Sequence, residues 1–384
     1  MNAIATRQTN RAVQRRTALG MALLIGYLHA SVASTQTVVS IAVSPVIRVS
    51  GTDASSVGIT AIVAASRLND GTLAVADRFG RVYYFDKSGA FARSAGQPGR
   101  GPGEFAQVTW AGNCGGDTLV VWDQISRRFS AIASGGSVVR QSGPSVPLGQ
   151  SAAFSTLACG RGGVVVAQTR GAPPMALSPS TPTTFRPSAA VLLGTNLWAF
   201  TRFVDSVPAS EIVVMGGGGA PRPLGKETAL AVGRTHVYVG TGDSARIDVY
   251  SLDGRRMTAI RVQSAERRPT AEEHRDAVDA LLSDAPRSAV SRIRRILDAV
   301  PPVTSVPPYR RIFADTGDRI WVEVSPAGRV PIALQLYDQS GKLRGNMRVA
   351  LAAVHEVYAG YVVGTVADGN GEIGLAVYRY TIGP

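Results

Sequence analysis

Apolar and polar positions alternate in short runs along most of this chain, and the runs recur as a unit. After Asn69-Asp70-Gly71 come TLAVAD (72–77), RVYYFD (81–86) and KSGAFARSAG. The same order returns as GDTLVVWD (116–123), RRFSAIA (127–133) and GGSVVRQ, and as RTHVYVG (234–240), ARIDVYSLDG (245–254) and RRMTAIRV. It returns again as DTGDRIWVEV (315–324), PIALQLYDQSG (331–341) and KLRGNMRV, and finally as VYAGYVVGTV (357–366) and EIGLAVYRYTI (372–382). A period of two with many β-branched and aromatic residues predicts strands. Gly and Asp at the joins supply turn backbone, as where Phe85-Asp86 precedes Gly89, Tyr250 precedes Gly254 and Tyr337-Asp338 precedes Gly341.

A short apolar strand precedes each unit: ITAIVAA (59–65), QVTWAG (107–112), FSTLAC (154–159), ETALAV (227–232), YRRIFA (309–314) and AAVHEVY (352–358). Four strands per unit make a propeller blade, so the pattern predicts an all-β fold, a six-bladed β-propeller. The third unit is the most divergent, with GGVVVAQT (162–169), SAAVLLG (188–194), LWAFTRF (197–203) and a Pro-rich loop at 171–187. The last unit has too few strands after Thr381, while TVVSIAVSPVIRVSG (37–51) is strand-like without a unit of its own. That segment is expected to complete the sixth blade and remove an open sheet edge.

Two excursions interrupt the repeats. Residues 206–225 read as a β-rich connector with a flexible glycine tip at Gly216–Gly219. Residues 268–300 form the one helical insertion: Thr270 and Glu273 make a capping box after Pro269, and Asp284 with Pro286 restarts a second helix. In that helix Val290, Ile293, Ile296, Leu297 and Val300 form an apolar stripe, Arg292, Arg294 and Arg295 face mostly elsewhere, and Pro301-Pro302 ends it. The arginines either meet an anionic partner or lid a face, or are solvated while the stripe packs on the propeller flank.

The first 33 residues carry Arg7, Arg11, Arg15 and Arg16 without an acid, then the apolar run TALGMALLIGYL (17–28), then Ser31-Val32-Ala33. This is the layout of a secretory signal peptide, with an uncleaved anchor as the other reading. Export places residues 34–384 in the periplasm or outside the cell, with no membrane span after cleavage. The chain carries +13, and loss of those four arginines leaves it at +9, without a dense basic block. Cys114 and Cys159 sit in similar contexts before strands. They form a disulfide or remain two separate small core residues.

Gly96-Gln-Pro-Gly-Arg-Gly-Pro-Gly-Glu-Phe105 is similar to the signature between blades of NHL-type repeats. VYVGTGD (237–243), the helical insertion, PPYRRIFADTGDRIWVE (307–323) and YDQSGKL (337–343) resemble bacterial six-bladed propeller proteins of the NHL-like class. The resemblance covers nearly all of the chain beyond residue 33. It implies the fold and export, and it brings no shared catalytic residues. The third unit departs from it, and only the first join keeps the full Gly-Pro-Gly-Glu-Phe run.

Propellers bind at the central channel or the loops around it, so the polar or aromatic residues of the innermost strands matter most, among them Trp110, Thr156, Glu227, Arg310, His355 and Glu356. Alternation points some at the channel and others into the sheet packing. Lactonase-like sites need several oxygens converging on Ca²⁺, but turn formation accounts for pairs such as Asn69-Asp70 and Asn370-Gly371. Zinc lyases of this class use histidines; here His236 is on an outer strand, His274 on a helix and His355 on an inner strand. No Gly-x-Ser-x-Gly elbow or P-loop is present. The expectation is a monomeric binding or scaffold protein, without cofactor or nucleic acid. It recognises a small molecule, a carbohydrate or a protein through a patch containing Arg310, His355 and Glu356, with no catalytic or metal-binding residue assigned. The alternative is a metal-dependent hydrolase, lactonase or lyase using Glu356 and His355 in the channel, with Ca²⁺ or zinc.

Overall fold

The repeats fold as antiparallel sheets, and their middle strands explain the apolar runs. A computed structural model describes residues 38–171, 179–283, 285–324, 330–367 and 371–383; the leader at 1–33 and Asp284 lie outside these. The first sheet contains Ile62–Arg67, Leu73–Asp77, Val82–Phe85 and Phe91–Ala95, in that order. The second contains Val108–Gly112, Thr118–Asp123, Arg128–Ala133 and Val138–Ser142. The third contains Phe154–Cys159, Val165–Thr169, Ser188–Asn196 and Ala199–Pro208. The fourth contains Ala229–Val232, His236–Gly240, Arg246–Ser251 and Arg256–Arg261, and the fifth Arg311–Ala314, Ile320–Glu323, Ile332–Tyr337 and Leu343–Val349. The sixth contains Ala353–Tyr358, Tyr361–Ala367 and Ile373–Ile382. Val39–Ile41 and Ile47–Val49 both pair antiparallel with its last strand, Val39 opposite Ile382 and Val49 opposite Leu375.

The first strand of each sheet touches the first strand of the next, and Ala353–Tyr358 touches Ile62–Arg67. There is accordingly no single central core. Apolar side chains form layers between successive sheets. Val121 and Leu119 join Ala76 and Val108 between the first and second sheets, while Val120 and Trp122 join Phe154 and Leu192 between the second and third. Neighbouring residues of one strand thus enter opposite layers, which is why these strands read as unbroken apolar runs. Leu73–Asp77 and Ile320–Glu323 are buried at every position, whereas the outer Phe91–Ala95 is mostly exposed. A further layer joins Val363, Leu375 and Val377 of the sixth sheet to Leu73, Val75 and Phe85 of the first.

The aromatic-Asp joins are side-chain-stabilised turns. Asp86 Oδ1 accepts from the backbone N–H of Ser88 (2.8 Å) and Ala90 (3.1 Å), and Asp338 Oδ1 does the same with Ser340 (2.9 Å) and Lys342 (3.0 Å). Gly89 follows at φ 89°, and a Cβ there would stand 2.4 Å from the carbonyl oxygen of Arg48. In the first two units a different carboxylate ties the unit to the chain that enters it. Asp77 Oδ2 accepts from the N–H of Thr60 and Ala61, both at 2.8 Å, and Asp123 accepts from Ala106, Gln107, Ile125 and Ser126. Burial alone would raise the Asp123 carboxyl, but these donors win and hold it below the usual range.

The excursions form a lobe of their own. The capping box joins Thr270 and Glu273 in both directions, at 2.9 and 3.1 Å, and opens the helix Ala271–Ser283. The second helix, Val290–Ala299, starts four residues after Pro286, capped by Ala289 without a side-chain bond. Its apolar stripe packs on a three-stranded sheet of Thr183–Phe185, Ile212–Met215 and Gly218–Pro221, not on the flank of the main sheets. Three expectations are corrected here. The insertion is not the one helical region, since Gly51–Ser56 is a short helix capped by Ser50. Thr183–Phe185 is a strand within the stretch read as a Pro-rich loop. Only half of the glycine run is a tip: Gly216 and Gly217 make the hairpin turn at φ 56° and 73°, while Gly218 and Gly219 pair with Met215 and Val214, and a Cβ on Gly218 would press on Arg292 and Ile296 at 3.2 Å. The glycine lets the helix approach. No helix among the described residues is long and apolar enough to cross a membrane.

Candidate functional site

The first strands of all six sheets line one cavity of about 490 Å³. Trp110, Thr156, Glu227, Arg310, His355 and Glu356, the polar and aromatic positions singled out in the sequence, all lie on its wall. A second cavity of about 650 Å³ opens at the other end of these strands, lined by Thr60, Arg78, Gln107, Thr109 and Glu372 among others. Val63, Arg311 and His355 belong to both linings. Bulges bring extra residues to the wall. Pairing with the second strand skips Val63, Thr109, Ser155 and His355 in the first, second, third and sixth sheets. A bulged residue breaks the in-out alternation, so His355 and Glu356 both line the cavity although they are consecutive.

The three candidate ligand-facing residues have different surroundings. Glu356 is fully engaged. Its Oε1 accepts from Arg161 Nη2 at 2.8 Å, and its Oε2 accepts from the N–H of Arg67 at 2.9 Å. Burial pushes its carboxyl up, and Arg161 and the Arg67 N–H pull it back only in part. Arg310 sits just before its strand, half-exposed, with Nη1 3.4 Å from Oε1 of the buried Glu323. His355 Nε2 is buried without a hydrogen-bond partner. Burial first, and the charge of Arg311 second, lower its pKa to about 3, so its ring is neutral near pH 7.

Two residues not foreseen shape the cavity. Arg161 lies in the turn after Cys159 and spans from the third sheet to the first and sixth. It donates to Asn69 Oδ1 and to the Arg67 carbonyl, both at 3.0 Å, and lies 4.1 Å over the Tyr358 ring. Its backbone is held from behind: Cys114 and Cys159 form a disulfide, Gly163 N–H donates to the Cys114 carbonyl at 3.0 Å, and a Cβ on Gly115 would stand 2.6 Å from the Arg161 carbonyl oxygen. Arg311, the neighbour of Arg310, donates from Nη1 to the Val354 carbonyl of the adjacent first strand. Its position in YRRIFA was the available signal, since alternation aims one arginine of such a pair inward. Nothing in the local sequence marks Arg161.

His236 opens the second strand of the fourth sheet rather than an outer strand, His274 is on the helix Ala271–Ser283, and His355 is in the sixth sheet. Among the described residues there is no group of three or more His, Cys, Asp or Glu side chains that could hold a metal ion.

No family model matches this sequence, and no curated protein matches it. Solved structures do resemble it. A candidate exported protein of Bacteroides fragilis is 13% identical with a TM-score of 0.47, over 92% of this chain and 97% of that one. A DUF4221-family member from Bacteroides vulgatus is 12% identical at a TM-score of 0.45, over 90% and 99%. A virginiamycin B lyase from Staphylococcus aureus is 10% identical at 0.39, over 83% and 80%. Likenesses of this size carry no argument about chemistry, which rests on the residues above.

Proposed function

We propose that this chain is an exported six-bladed β-propeller, closed by its N-terminal strands, that binds a ligand in the cavity between its inner strands and does not catalyse a reaction. Residues 1–33 act as the signal peptide, and residues 34–384 form one propeller domain that is monomeric in the periplasm or outside the cell. The observation that carries the binding reading is the shared cavity of about 490 Å³, to which every first strand contributes. The serial contact of those strands and the layers between successive sheets support the blade count and the ring. The Cys114–Cys159 disulfide supports export, because disulfides persist in oxidising compartments. The ligand is a small molecule or a carbohydrate, or a protein segment that enters the cavity.

Native mass spectrometry of the exported protein tests this. Thr156→Trp places an indole in the cavity from the third sheet. Wild type is expected to carry a bound species that Thr156→Trp loses while keeping its near-ultraviolet circular dichroism. Identical spectra for the two proteins across a panel of sugars, peptides and organic acids would overturn the reading.

A further inference from the structure

Among the described residues Arg311 is the one charged side chain common to both cavities. Its setting differs from that of the other arginines on the wall of the cavity of about 490 Å³. Arg161 has Glu356, and Arg310 has Glu323. Arg311 has a carbonyl partner, Val354, and no carboxylate within ion-pair distance among the described residues. The Arg311 side chain is half-buried, and of the five N–H donors of a guanidinium only Nη1 has a named partner, which leaves donors facing the cavities. Burial holds its pKa below the usual arginine value and Arg310 adds to that, while Glu323 and Glu227 oppose it only in part. His355 beside it contributes no charge of either sign near pH 7, and Glu227 stands exposed just before the first strand of the neighbouring fourth sheet.

We infer that Arg311 anchors an anion site, and that the cavity takes a small molecule whose carboxylate or phosphate oxygens pair with its guanidinium. A planar fork matches both oxyanions, and a cavity wall lowers the dielectric around the pair. The inference rests on the reading of this cavity as a binding site. Glu227 disfavours the anion by like charge at the rim, so the oxyanion enters past it toward Arg311.

The test is isothermal titration of the full exported chain at low salt with two probes, succinate and inorganic phosphate. One or both are expected to bind with 1:1 stoichiometry. Binding of succinate alone assigns a carboxylate ligand, and binding of phosphate alone assigns a phosphate. Arg311→Met is expected to weaken binding by about 10-fold or more, the loss of one charge-assisted pair. It should lower the melting temperature of the unliganded protein by no more than the loss of one hydrogen bond to the Val354 carbonyl; a purely structural arginine would lower it further. Arg311→Lys keeps the charge without the fork and is expected to fold and bind more weakly, which covers a failure of the methionine variant to fold. Glu227→Gln is expected to tighten binding by about 2-fold or more, as a rim repulsion is removed. Absence of binding for both probes, or unchanged affinity in Arg311→Met and Arg311→Lys, overturns the anion site. If neither anion binds while Thr156→Trp still displaces a neutral species, only the ligand class fails. If Thr156→Trp displaces nothing either, the cavity reading fails with it.

Discussion

Arg161 and Glu356 stand 195 residues apart in the chain and meet at 2.8 Å. Both side chains are largely buried, at 14% and 15% exposure, and all hydrogen-bonding atoms of the carboxylate are occupied. A buried pair of this kind costs much of its attraction in desolvation, but removing one partner leaves a charge without compensation. Arg161→Met is therefore expected to destabilise the fold by about 3–5 kcal/mol in urea unfolding. The double variant Arg161→Met/Glu356→Gln should recover part of that loss. Additive losses in the two single variants would show that the pair is not coupled.

The disulfide closes a 45-residue separation and ties the turn that carries Arg161 to the second sheet. Chain entropy alone assigns such a loop about 4 kcal/mol of stability. Cys114→Ser/Cys159→Ser is expected to lose a comparable amount in guanidinium unfolding, and wild type in reductant should move to the same midpoint. Because Arg161 hangs on this turn, the loss from Arg161→Met should be smaller in the serine background. Equal losses in both backgrounds would separate the two features.

His355 makes stability depend on pH with a defined sign. Its pKa is about 3 in the folded chain against 6.5 for an unperturbed histidine, so between these values the unfolded state binds more protons. The stability it contributes is complete above about pH 6.5 and is lost as pH falls, by up to about 1.4 kcal/mol per pH unit. Glu356, with its carboxyl raised, contributes in the opposite sense and is common to both proteins compared. Unfolding at about pH 7 and about pH 4.5 should therefore cost wild type more stability than His355→Asn. Parallel losses would mean that the imidazole is solvated and titrates normally.

Strand spacing was legible in the sequence because each unit states its turns locally. Asp86-Lys87-Ser88-Gly89 and Asp338-Gln339-Ser340-Gly341 are complete turn instructions within four residues. The capping box of Thr270 and Glu273 is equally local. That Trp110, Thr156, Glu227, Arg310, His355 and Glu356 belong to the inner strands followed from strand order. Alternation divided them between channel and packing, whereas all six line the cavity, His355 and Glu356 through a bulge. What each of these residues touches did not follow. Glu356 looks like a free acid until Arg161 arrives from another sheet, and no periodicity encodes a contact made by a long side chain across the cavity. The helical stripe was visible, but its seat depends on Thr183–Phe185 pairing with Ile212–Met215, two pieces too short to announce themselves. Arg311 was hidden for a simpler reason: of two adjacent, half-buried arginines that both line the cavity, only Arg310 drew the attention.

The strand Ile373–Ile382 holds Val39–Ile41 along its end and Ile47–Val49 along its middle. In a chain made from its N-terminus, these first strands have no partner until nearly everything else has been synthesised. Val49 then has to enter the apolar layer shared with Leu73 and Phe85, residues that could already have paired with their own neighbours. Assembly of the sixth sheet is thus a timing problem as well as a packing one. Whatever shields the early strands from wrong partners must last for the full length of synthesis, and a chain stopped a few residues short of Ile373 would present those strands with nothing to join.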